Sequence, residues 1–231
     1  MAQSPAVIRV LSTETHASLL EPALRVSSRL IAAAQRSELG SHARALCWVI
    51  AVHEDDKVSR PLVRSDGAIT VSSGTFPLAQ SEAGLAALLS HELVHALLQD
   101  SAADSVSPPA SPGNHSPPVR PTDCLCDRFP QACLSTTHGP PPSLLTYPEE
   151  LRADRMGLTL MADAGYDPRE LLRLWDRMKA QNTIAGDEFL VHLTYDRRME
   201  QISQWLPDAL TRYERAHRAP QKALPRSEFT R

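Results

Sequence analysis

The sequence predicts a mostly helical α+β domain with a small β-sheet and a long Pro-rich insertion. Three observations carry this reading. Apolar residues recur at helical spacing over most of the chain, two short stretches in the first third have strand character, and eleven of the 19 prolines crowd between Pro108 and Pro148. With 231 residues and 42% hydrophobic content, the chain suits one domain with a sizeable core. The expected limits are residues 1–218 for that domain and 219–231 for a flexible tail.

In chain order, the spacing predicts a helix from about Ala17 to Ser37, then a strand near Leu46 to His53. A second strand near Ala68 to Ser73 alternates Ile69 and Val71 with Thr70 and Ser72, the period of a strand with one buried face. Ser81 is a suitable N-cap for a helix running to about Gln99. Residues 101–145, rich in Pro, Ser, Gly, Asn and Thr, read as a disordered insertion or a lid, so the segments flanking it must meet in space. Pro148 opens a further helix that stops at Gly165, and Asp167-Pro168 starts another ending near Gln181. Two helices, Asp196 to Trp205 and Pro207 to His217, are expected to close the domain.

Composition excludes several classes. A net charge of −3 lacks the basic excess of a nucleic-acid binder. No stretch approaches the ~20 apolar residues of a membrane helix. The N-terminus has no basic region followed by an apolar block, and Glu14, Glu21 and Glu38 count against a transit peptide, so a soluble intracellular protein is expected. Cys47 reads as a buried thiol beside Trp48. Cys124, Cys126 and Cys133 form C-x-C-x6-C near His138, where a structural zinc site or a disulfide is conceivable, but the spacing fits neither common zinc pattern, so a loop with incidental cysteines is the favoured reading.

The chemistry lies in His91-Glu92-Leu93-Val94-His95. Histidines at i and i+4 stack on one helical face, suited to holding one Zn²⁺, while Glu92 points about 100° away toward a water at the metal's open position. A chance HExxH has a probability of roughly 2% at this chain's His and Glu frequencies. Two ordinary surface histidines would not sit in a helix that is apolar nearly all round (Leu85, Leu88, Leu89, Leu93, Val94, Leu97). A hydrolytic zinc site needs a third ligand, and the helix after the insertion offers one. Its polar face is Arg152, Arg155, Thr159 and Asp163, yet Glu150 and Asp154 lie opposite, with Gly157 and Met161. Glu150 as third ligand, and Asp154 as acceptor for a ligand histidine's other N–H, explain two carboxylates on a face that should be buried. Gly157 would let the two helices approach closely. Glu149, by contrast, is accounted for by the helix dipole at its N-terminus.

HELVH followed by EELRADRMGLTLMADAGYDP resembles the HExxH plus ExxxD pair of the zinc metalloendopeptidases of peptidase family M forty-eight, most closely the Oma-type mitochondrial branch. GAITVSSGTFPLAQSEAGLAALLSHELVHALL, GYDPRELLRLWDRM and FLVHLTYDRRMEQISQWLPDAL add to the likeness, which covers about residues 45 to 210. The resemblance implies a zincin (gluzincin) metallopeptidase fold, one Zn²⁺ per chain on His91, His95 and Glu150, Glu92 as general base, a polypeptide substrate and a mitochondrial location, with peripheral membrane association compatible. The family's Thr-His-Pro is here His192-Leu193-Thr194, and its Pro-Gly-Gly turn is Arg64-Ser65-Asp66-Gly67. His192 or Tyr195, in the matching closing segment, is a candidate oxyanion donor, with a solvated surface histidine the favoured alternative for His192. Ile69, Thr70 and Val71 are expected on a sheet edge to which an extended substrate adds as a further strand. The alternatives are a catalytically degenerate, zinc-stabilised binding or regulatory domain and a zinc hydrolase of a non-protein substrate. Retention of Glu92, which has no duty in metal binding, favours the protease.

Overall fold

A computed structural model describes residues 9–12, 17–98, 146–180 and 188–218, with side chains described over 18–98, 146–180 and 195–218. Four strands form one mixed sheet in the order β1-β2-β4-β3: β1 (Arg9–Ser12), β2 (Val49–His53), β3 (Leu62–Val63) and β4 (Ala68–Ser72). β1, β2 and β4 run parallel, and β3 returns antiparallel to β4 with Leu62 opposite Thr70 and Val63 opposite Ile69. Parallel strands lie inside, and β2 accordingly buries Val49, Ile50, Ala51 and Val52 in succession. The sheet is larger than the two expected strands because β1 and β3 are too short to show a period.

Seven helices complete the described residues: α1 (Ala17–Ala34), α2 (Gly40–Ala45), α3 (Thr75–Ala79), α4 (Glu82–Leu98), α5 (Tyr147–Asp163), α6 (Arg169–Ala180) and α7 (Glu188–Arg218). The molecule is therefore mostly helical α+β. α1 buries Ala23, Val26, Leu30, Ile31 and Ala34 as one stripe and is tied to the start of α4 by Arg25–Glu82 at 2.9 Å. It ends three residues before the expected Ser37, and α2 follows where no element was expected. Trp48 locks α2 in place by donating its indole N–H to the Ala43 carbonyl at 2.9 Å.

α4 starts as its sequence directs. Ser81 Oγ accepts the Gly84 N–H at 3.0 Å, the N-cap bond to the third helical residue. The helix is buried on nearly all sides, packed against α5, α1, α3, α6 and β3. α5 begins with a capping box in which the Glu149 carboxylate accepts the Thr146 backbone N–H at 2.7 Å and its hydroxyl at 2.8 Å. It stops at Gly165, whose φ of 79° is the left-handed conformation of a helix terminator. Gly165 N–H reaches the Ala162 carbonyl and Tyr166 N–H the Met161 carbonyl, both at 2.9 Å, the two bonds of a Schellman motif.

Two expectations are corrected. Pro207 does not divide the C-terminal region: α7 is a single 31-residue helix with Pro207 inside it. Pro207 and Ser203, whose carbonyl loses its helical partner, are both exposed, so water takes the place of the missing N–H. Cys47 is half-buried and disulfide-bonded rather than a buried free thiol, and its partner lies outside the described residues. Residues 101–145, Cys124, Cys126, Cys133, His138 and the tail 219–231 lie outside the described residues as well. Among the described residues, no helix is long and apolar enough to cross a membrane.

Candidate metal centre

The two longest-range expectations of the sequence converge on one place. α4 and α5, separated by residues 99–146, pack side by side and bring His91, His95 and Glu150 together, with one ligand atom from each within 4.8 Å of the others. His91 Nε2 lies 3.1 Å from His95 Nε2, Glu150 Oε2 is 3.4 Å from His91 Nε2, and Glu150 Oε1 is 3.6 Å from His95 Nε2. Metal–ligand bonds of ~2.0–2.1 Å in tetrahedral geometry place ligand atoms roughly 3.3 Å apart. The separations, taken through one Glu150 oxygen to His91 and the other to His95, lie around that value, and two imidazole nitrogens with one carboxylate are a zinc donor set. The residues fit the metal.

The close approach has a specific cause. Gly157 faces the α4 backbone at the metal site: a Cβ there would lie 3.1 Å from the His91 nitrogen and 3.2 Å from the Ser90 carbonyl carbon. A larger residue would require the two helices to give by a few tenths of an ångström at this contact. Asp154, one turn beyond Glu150 and fully buried, places Oδ1 3.0 Å from His91 Nδ1. That contact fixes the ring so that Nε2 faces Glu150 and His95.

Electrostatics hold these groups charged. Burial disfavours the His91 imidazolium, but the Asp154 and Glu150 carboxylates outweigh it and push His91 up to about 9. Burial likewise opposes ionisation of Glu150 and Asp154, yet His91 and Arg198 hold both well below the usual carboxylate range. Glu149 is also lowered, by the Thr146 N–H and hydroxyl, in keeping with its role in the cap rather than the centre.

Glu92 is half-buried, one residue on from His91, and lines a cavity of about 30 Å³ with His91, Arg60, Leu171, Leu174 and Trp175. The general-base candidate thus opens onto the metal site rather than joining the ligand cluster.

Two candidates are not where they were expected. Tyr195 is buried at the α6–α7 contact, where its hydroxyl donates to the Trp175 carbonyl at 2.7 Å and its ring meets Trp175 edge-on. Its only hydrogen is committed, so it is a packing residue and not the oxyanion donor. β4 is not a sheet edge: β2 flanks it on one side, and β3 covers Ile69 and Thr70 on the other. Ile69 and Val71 are buried to 2% or less, so neither faces a substrate. Among the described residues, the edge that packs against α4 is β3. The side chain of His192 lies outside the described residues.

Sequence reasoning missed Arg198. It is 7% exposed and bonds Asp154 through Nε (2.6 Å) and Nη2 (2.8 Å), and Glu150 through Nη1 (2.7 Å). The signal was present: Tyr195, Arg198, Ile202 and Ala209 fall at helical spacing on one buried stripe of α7, and the buried Asp154 carboxylate requires a partner.

No family model matches the chain. Curated proteins do. The mitochondrial metalloendopeptidase OMA1 of Schizosaccharomyces pombe is 28% identical over 201 residues, covering 82% of this chain and 54% of that protein. The protein of the same name from Saccharomyces cerevisiae is 28% identical over 187 residues, covering 73% of this chain and 50% of that protein. The chain thus spans about half the length of the curated relatives it matches. With its paired motifs meeting, among the described residues, at one cluster that could hold a metal, this chain is similar to the Oma-type mitochondrial metalloendopeptidases.

Proposed function

We propose that this chain is a zinc-dependent metalloendopeptidase of the gluzincin type, with one Zn²⁺ held by His91, His95 and Glu150. The observation that carries the proposal is the convergence of these three residues, from two segments far apart in sequence, beside Glu92 at a cavity. The relatives' printed names supply the reaction class. When bound, zinc supplies Lewis acidity, lowering the pKa of water toward neutrality and polarising a carbonyl. Glu92 takes the water's proton and later hands it to the leaving amine. Asp154 keeps the His91 ring oriented throughout. Substrate approaches along the cavity beside Glu92, which Leu171, Leu174 and Trp175 line, and Arg60 stands at its exposed rim. An extended substrate backbone pairs along the free edge of β3 (Leu62–Val63), in place of the β4 pairing first expected. His192 is the proposed oxyanion donor, and the relatives' names make mitochondria the proposed location.

The test is cleavage of a quenched, unstructured polypeptide by zinc-loaded protein, alongside Glu92→Gln and chelator-treated samples. The parent is expected to cleave, chelation to abolish cleavage, and Glu92→Gln to retain zinc while losing at least 100-fold in rate, roughly the low end of what general-base catalysis contributes. A zinc-loaded parent without turnover favours a metal-stabilised binding domain. Cleavage by Glu92→Gln at the parental rate removes the protease assignment.

A further inference from the structure

We infer that Arg198 is the positioning residue of the metal centre, a guanidinium fork on α7 that sets the geometry of both the third ligand and the first histidine. The inference rests on the proposed zinc site and extends it. All three guanidinium nitrogens are used: Nη1 holds Glu150 Oε2 at 2.7 Å, while Nε and Nη2 grip the two oxygens of Asp154 at 2.6 and 2.8 Å. Asp154 in turn contacts His91 Nδ1 at 3.0 Å. One buried side chain from a third helix therefore fixes two carboxylates one turn apart on α5 and, through Asp154, a ring on α4.

Arg198 is itself fixed. Its guanidinium lies 4.5 Å from the centroid of the Trp175 ring on α6, and Trp175 also lines the cavity beside His91 and Glu92. A planar fork stacked on an aromatic has little freedom to follow a displaced partner. Holding Glu150 through Oε2 fixes the rotation of its carboxylate and leaves Oε1 turned toward His95, 3.6 Å from its Nε2. A lysine would keep the charge but present one nitrogen where three are used. That difference separates positioning from simple charge compensation.

The experiment uses the full chain with Arg198→Lys and Arg198→Met. Zinc affinity is measured by competition with a chelator of known affinity, and the Co²⁺-substituted protein is followed by its visible absorption, which reports ligand geometry. Far-UV circular dichroism and thermal unfolding of the metal-free proteins establish that each variant is folded. Arg198→Lys is expected to weaken zinc binding by about 10–100-fold and to alter the cobalt spectrum, as loss of an outer-shell partner typically does. Arg198→Met, which also removes the guanidinium charge from beside Asp154 and Glu150, should bind more weakly still. A folded Arg198→Lys with parental zinc affinity and cobalt spectrum overturns the inference and leaves the protease proposal standing. A parent that takes up neither Zn²⁺ nor Co²⁺ overturns both.

Discussion

Glu149 and Glu150 are neighbours with opposite duties, and the reason is one step of about 100° around α5. Glu149 turns back to close the capping box on Thr146, whereas Glu150 turns inward to the two histidines and Arg198. Glu150→Gln should therefore lose zinc and turnover together, because an amide is a poorer ligand and cannot pair with Arg198 as a carboxylate does. Glu149→Gln should retain zinc and activity, with only weakened capping of α5. Metal analysis of the two purified variants decides the matter, and zinc loss in Glu149→Gln alone would mean the helical phase is wrong. His91 adds a dependence on pH. In metal-free protein its pKa is about 9, above the 6.5 of an unperturbed histidine, so folding takes up a proton. The stability it contributes is fully present below pH 6.5 and is lost as pH rises through 9. Zinc requires the neutral ring, so binding must displace that proton, and affinity should climb by up to about tenfold per pH unit over this window. Calorimetry in buffers of different ionisation enthalpy reads the proton release directly. Zinc affinity that is flat from 6.5 to 9 would show that the His91 cation is not there to be displaced.

At the scale of elements, the pairing of α4 with α5 decides whether a site exists at all. Gly157→Ala would set a methyl group 3.1–3.2 Å from the α4 backbone at Ser90 and His91, with no flexible side chain to yield. The expected result is a loss of about 1–2 kcal/mol, partly offset by alanine's better helix propensity, together with weaker zinc binding as Glu150 moves off the histidines. Chemical denaturation and zinc competition check both parts, and a variant more stable than the parent with parental zinc affinity would show that the helices are not in limiting contact. This pairing was legible in the sequence because HELVH, Glu150, Asp154 and Gly157 each break an otherwise ordinary helical pattern in a way that a metal site between the two helices accounts for. Arg198 was not legible in isolation, because an arginine is ordinarily at the surface and only the buried stripe of α7 marks it as an exception. The edge role expected of β4 failed for a different reason. β3 has two residues, too few to show a period, and it is β3 that covers Ile69 and Thr70. Tyr195 was misjudged because sequence gives no sign of where a hydroxyl's hydrogen is spent.

At the scale of the whole molecule, the architecture splits into a described framework and the long segment between α4 and α5. The framework already closes a core of its own: α4 packs on α1, α5, α6 and the sheet, and α7 lies along α5. Among the described residues that core is closed, and residues 101–143, poor in apolar side chains, are expected to add nothing to it. The disulfide at Cys47 complicates a direct deletion, since the other three cysteines all fall within residues 124–133 and shortening the segment removes them. The proper reference is therefore Cys47→Ser, which lacks the crosslink but keeps the segment. Loss of the crosslink alone should cost about 2–4 kcal/mol, chiefly by freeing the unfolded chain, and should leave the metal site as it was. Replacing residues 101–143 by a short flexible linker in the Cys47→Ser background should then change neither zinc content nor helicity, and unfolding should remain a single cooperative transition. Metal analysis, circular dichroism and thermal unfolding of the shortened chain beside its reference make the comparison. A shortened chain that binds zinc but unfolds without cooperativity would show that the segment packs against the framework. One that folds but no longer binds zinc would place part of the metal centre's support within the segment.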